Sequence, residues 1–152
     1  MPPAVSFRLA DVPRPARVLG LAGLIPFVGL AAAAHLAPAG WSDAARGLLA
    51  GYGVVILSFM GGCRWGFAAA GLGPEGASWW RLGVSVVPAL LAWAALVLGP
   101  DVALWACALG LIALFGADVS LTRAAGAPAW WPALRLPLTA GAAAALLVGA
   151  AA

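Results

Sequence analysis

The sequence contains no lysine, a single histidine and few charges of either sign: Asp, Glu, Lys and Arg make up only 9% of its 152 residues. Against 64% hydrophobic residues and a mean hydropathy of +1.04, that scarcity excludes an ordinary soluble domain and implies an integral membrane protein. With His35 as the only imidazole, and with no GxSxG, HExxH, glycine-rich phosphate loop or carboxylate pair, no catalytic motif is present and a non-enzymatic protein is expected. Cys63 and Cys107 fall in different apolar segments without a CxxC or a neighbouring His, so they read as buried thiols, with no metal, cofactor or disulfide expected. The net charge of +3 would suggest nucleic acid in a soluble chain, but here the arginines flank apolar segments, so nucleic-acid binding is not expected. An Arg-only basic complement with abundant Ala and Gly reads as a high-GC genome, and therefore as a bacterial inner-membrane protein.

What the chain does have is hydrophobic length. Apolar runs at about 18–36, 47–70, 82–99, 102–121 and 136–151 predict an all-α bundle of five transmembrane helices behind a short tail, 1–17, the whole forming one domain. The breaks between them carry Ala37-Pro38-Ala39-Gly40, Gly71-Leu72-Gly73-Pro74-Glu75-Gly76, Gly99-Pro100-Asp101 and Gly126-Ala127-Pro128, the third short enough to make a tight hairpin. A cleaved signal peptide competes for the first run, but its length and its interruption at Pro26 favour a retained helix. Arg8, Arg14, Arg17, Arg64, Arg81, Arg123 and Arg135 fall on one side and only Arg46 on the other, which predicts an inward amino terminus and an outward carboxyl terminus. Trp41, Trp79, Trp80, Trp130 and Trp131 lie at segment ends and read as interfacial anchors.

Arg64 and Asp118 stand inside apolar segments, where an ionisable group must face the protein interior, reach the headgroups or find a partner. The alternating topology places Arg64, Asp118 and Arg135 within one or two turns of the inner interface, so the three can meet. Such a cluster carries two guanidinium groups against one carboxylate and suits an anionic small molecule or a lipid headgroup, with Trp65 counted as a candidate contact. The simpler alternative is an interhelical clamp, or an Arg64 that snorkels to the headgroups. Gly61, Gly62 and Gly66 offer close helix packing or a loosened helix, and Pro26 and Pro88 offer kinks.

The run Phe59-Met60-Gly61-Gly62-Cys63-Arg64-Trp65-Gly66 and the run Trp130-Trp131-Pro132-Ala133-Leu134-Arg135 resemble the domain of unknown function 3429 family, which is related to the mitochondrial transmembrane protein 69. Gly20 to Phe27, Tyr52, Ser85 to Trp93, Asp118 and Leu138-Thr139 extend the resemblance along nearly the whole chain. At Cys63 the chain departs from that family's usual bulkier aliphatic residue. The resemblance implies a small multi-span protein of bacterial inner membranes, and of mitochondria in eukaryotes, without supplying an activity.

The expected function is accordingly that of a non-enzymatic bundle. Its inward Arg/Asp cluster binds an anion or lipid headgroup, or docks a membrane partner or a second copy. The alternatives are a small oligomeric transporter or channel and an assembly factor for a membrane complex. A continuous path within one chain is disfavoured, because the polar groups gather at one end of the spans.

Overall fold

A computed structural model describes residues 5–38 and 40–152. Ala39, in the first expected connection, and the first four residues of the tail lie outside the described residues. After a single 3-10 turn at Leu9–Asp11 the chain forms α1 (Arg14–Ala22), α2 (Leu24–Leu36), α3 (Trp41–Ala69), α4 (Trp79–Leu98), α5 (Pro100–Arg123) and α6 (Trp131–Ala150), with no strand among the described residues. The stretch Arg14–Leu36 and each of the four later helices are long and apolar enough to cross a membrane, which gives the five expected spans.

The helix ends extend past the apolar runs, for local reasons. α3 begins at Trp41 rather than near 47. Its polar first turns are satisfied by Ser42 Oγ donating to the Ala34 carbonyl and by Arg46 pairing with Asp101 at the start of α5. α6 begins at Trp131 rather than near 136, and Pro132 suits its first turn because the N–H that proline lacks would have no helical partner there. The expected hairpin is a single residue, Gly99, whose φ of 124° is open to glycine and strained for other residues.

The first span breaks three residues before Pro26. Proline has no N–H for the carbonyl of Ala22 and crowds it, so α1 stops at Ala22 and α2 restarts at Leu24. The Tyr52 hydroxyl donates to the Gly23 carbonyl at 3.0 Å, and the Tyr52 ring meets Phe27 edge-on with centroids 4.7 Å apart. α4, by contrast, runs unbroken through Pro88.

α3 is central and touches α2, α4, α5 and α6, while α4 covers one flank and α1 and α2 the other. Its core is built from small residues with buried Leu49, Leu57, Leu104, Leu111 and Leu146, while Val55, Leu90, Leu91, Trp93, Val97 and Leu109 face outward. Hydrocarbon gives little hydrophobic drive between helices, so this bundle depends on close van der Waals approach. Gly61 makes the closest one to the backbone of another helix: a Cβ built there would lie 2.5 Å from the Ser85 carbonyl oxygen and 3.4 Å from the Pro88 ring. Gly62 and Gly66 are a correction. Both lie on the outward face of α3 with nothing within 4 Å, because each successive helical residue is rotated by about 100°. No loosening occurs either, since α3 is helical through both glycines of the pair.

The contrast is testable by thermal unfolding in detergent. Gly61→Ala should cost roughly 1–3 kcal/mol through overpacking against α4. Gly62→Ala, one residue away, should fall within about 0.5 kcal/mol of wild type or be slightly stabilising.

Candidate functional site

Antiparallel packing brings the carboxyl-terminal parts of α3 and α5 to the same end of the bundle as the start of α6. Arg64, Asp118 and Arg135 meet there. Arg64 Nη1 donates to Asp118 Oδ1 at 2.8 Å and Arg135 Nε to Asp118 Oδ2 at 3.0 Å. The Asp118 side chain is 0% exposed, Arg135 2% and Arg64 14%, so the triad is a buried charge cluster with one edge near the surface. Thr122 Oγ1 donates to the Asp118 backbone carbonyl at 2.9 Å within α5. Guanidinium groups keep their charge in proteins. Two of them on one carboxylate therefore leave a buried unit of positive charge.

α6 holds further unmatched polarity. Trp131 Nε1, Arg135 Nη2 and Thr139 Oγ1 are buried without a hydrogen-bond partner among the described residues. Their spacing of four residues places them along one face of the helix. Spaces open on both flanks of the triad. A cavity of about 360 Å³ between α1, α2, α3 and α6 is walled by Phe27, Met60, Cys63, Trp131 and Arg135, among other residues. A polar vestibule of about 240 Å³ holds Arg64, Glu75, Trp80 and Arg81, and an apolar groove of about 740 Å³ along α4 and α5 also reaches Arg64. The first cavity shares no residue with the other two, so each arginine of the triad faces its own space.

Arg81 counted only toward orientation in the sequence. Its guanidinium donates to the carbonyls of Leu72, Gly76 and Gly126, tying the α3–α4 loop to the α5–α6 loop around the vestibule. The other sequence candidates separate. Trp65 is 45% exposed and lines none of these spaces, because it sits about 100° around α3 from Arg64. Trp41, Trp79 and Trp80 are strongly exposed at helix starts, as interfacial anchors would be, but Trp131 is only 6% exposed. It packs edge-on against Phe67, with centroids 5.1 Å apart, and lines the cavity instead of the membrane surface. The i, i+4, i+8 spacing of Trp131, Arg135 and Thr139 was the one sequence signal for this face. His35 ties the end of α2 to α6 through Nε2, 2.9 Å from the Val148 carbonyl oxygen. Cys63 and Cys107 are free thiols.

A double-mutant cycle tests the energetics of the triad. Asp118→Asn and Arg64→Gln should each destabilise the protein, Asp118→Asn by more because it leaves two buried guanidinium groups without an anion. The double variant should lose less than the sum, with a coupling of roughly 1–3 kcal/mol in reversible unfolding. Strict additivity would remove the pairing from the energetics.

Comparison with known proteins points one way. The family model described as Protein of unknown function (DUF3429) matches residues 12–151. The chain is 41% identical to Transmembrane protein 69 of Xenopus tropicalis over 133 residues, covering 86% of this chain and 51% of that protein. It is 33% identical to Transmembrane protein 69 of Mus musculus over 94 residues, covering 59% of this chain and 36% of that protein. The chain thus spans about half the length of the frog relative and about a third of the mouse one. No solved structure matches. A family match across nearly the whole chain, joined to five apolar spans, makes this a multi-pass membrane protein that belongs to the DUF3429 family.

Proposed function

We propose that this membrane protein is non-enzymatic and that its triad, besides clamping α3, α5 and α6, retains an anionic group: a lipid headgroup or a small anion. The observation that carries the reading is the charge imbalance, with a buried and a part-buried guanidinium group sharing Asp118 and Arg135 Nη2 without an acceptor. An unpaired charge in low dielectric is costly, and a bound oxyanion supplies both the missing charge and the missing acceptor. We place the protein in a bacterial inner membrane with the arginine-rich end toward the cytoplasm. The Arg distribution and the composition support that placement, and the relatives named above extend the family to animals.

One observation favours a second reading, the docking of a membrane partner or another copy of the chain. Phe59, Gly62 and Gly66 share an outward face of α3 that no other helix of this protein covers. A transporter has less support, because the charges inside the bundle gather at one end.

Native mass spectrometry of the detergent-purified chain separates these readings. The anion reading expects a bound acidic lipid or metabolite in wild type that is reduced in Arg135→Gln purified at equal abundance. A homodimer with no small adduct would favour docking. Topology is checked separately: a periplasmically active reporter fused after Ala152 should be active, and the same reporter fused at the α3–α4 loop should be silent.

A further inference from the structure

The cavity walled by Arg135 differs in kind from the vestibule at Arg64. Its lining is almost wholly apolar, contributed by α1, α2, α3 and α6 with Leu111 of α5, yet two of the lining residues, Arg135 and Trp131, carry buried donors just behind the wall, Nη2 and Nε1, that find no acceptor among the described residues. These residues are 1% and 6% exposed, so bulk water does not serve them. A water could accept from both donors but would bring no charge to offset the second guanidinium. The free groups are all donors, so the complement must present acceptors.

The mouth of the cavity defines the rest. Leu19 and Phe59 line it and are 73% and 61% exposed on the outer surface of the bundle, where acyl chains lie. Arg135 is four residues past the start of α6, about 6 Å along the helix axis, a depth close to the boundary between headgroups and chains. A molecule entering sideways from the bilayer would bring its chain among apolar side chains and its polar end to the two donors.

Resting on the anion reading above, we infer that this cavity is a binding site for one anionic phospholipid. With a small rotation of the two side chains toward the cavity, a phosphate oxygen accepts from Arg135 Nη2 and Trp131 Nε1, and one acyl chain lies in the cavity while the other remains in the bilayer. The phosphate neutralises the charge that Asp118 leaves over; a zwitterionic lipid presents the same phosphate but brings its own cation and no net charge, and a neutral lipid brings none. The vestibule at Arg64 and Arg81 is not required for this binding.

The test uses the full chain, delipidated in maltoside detergent and titrated with dioleoylphosphatidylglycerol, with dioleoylphosphatidylcholine or with inorganic phosphate, and read by native mass spectrometry. Phosphatidylglycerol should bind at least about tenfold more tightly than phosphatidylcholine, and inorganic phosphate should not compete. Trp131→Phe, which keeps a ring but removes the donor, should weaken phosphatidylglycerol roughly tenfold, the scale of one hydrogen bond to a charged group. Ala16→Leu, which narrows the cavity from α1 and leaves every donor in place, should weaken it as well, and Arg81→Gln should not. Equal binding of the two lipids would overturn the inference. So would binding that ignores Trp131→Phe and Ala16→Leu but falls with Arg64→Gln or Arg81→Gln. That pattern would move the anion to the vestibule and keep the broader reading. Absence of binding by either lipid and by phosphate would overturn both.

Discussion

The carboxylate of Asp118 is the constraint around which the arginine-rich half of the bundle is organised. It comes from α5, takes one donor from α3 and one from α6, and is fully removed from solvent. Buried charges tolerate little misplacement, since a guanidinium withdrawn from its carboxylate in a low-dielectric interior loses far more than one at a surface. That requirement fixes the rotation of three helices at once. The same rotation of α3 turns Gly61 to α4, where the missing Cβ allows a close approach. With Arg64 turned toward Asp118, Gly61 lies about one helical turn back along α3, against the Ser85 carbonyl and the Pro88 ring.

The opposite end of the bundle is held more lightly. Arg46 and Asp101 form an ion pair whose carboxylate is 72% exposed, and His35 meets a single backbone carbonyl of α6. An exposed pair contributes little to stability. Between the two ends the helices depend on small residues and short leucine contacts, with Tyr52 bridging the break in the first span to α3. The molecule therefore has a rigid, charged end and an end secured mainly by packing.

Much of this was legible in the sequence because hydropathy and charge are one-dimensional signals. Five spans, the Gly99 hairpin and the shared depth of Arg64, Asp118 and Arg135 follow from segment lengths and alternating direction alone. Helix rotation is a different quantity, and apolar residues on every face of a membrane helix hide it. Trp65, Gly62 and Gly66 were for that reason grouped with Arg64 and Gly61, although the structure turns them outward. In the sequence Trp131 has the position of an anchor, since Trp at a span end usually is one, and the Phe67 ring that packs against it is far away in sequence. The start of α3 was missed because Arg46 and Ser42 find their partners on other helices. Arg81 stayed invisible as a loop tie because all its acceptors are backbone carbonyls.

A clamp between two helices needs less than the triad contains. One arginine and one aspartate would already join two helices with no net charge, and well-packed apolar residues often hold helices as firmly as a buried ion pair does. This protein instead buries a second arginine, almost wholly enclosed, with one guanidinium nitrogen unmatched and a tryptophan N–H unmatched one turn earlier on the same helix. Each of those features is costly in a low-dielectric interior, and both residues line the apolar cavity that opens beside α1. A destabilising group in a folded protein is accounted for when a partner satisfies it, and a single acceptor carrying negative charge would satisfy the charge and both donors together. The proposed anion is therefore a statement about charge and unmatched donors rather than about cavity volume, since an apolar groove accepts any acyl chain whereas an anion offsets the second guanidinium.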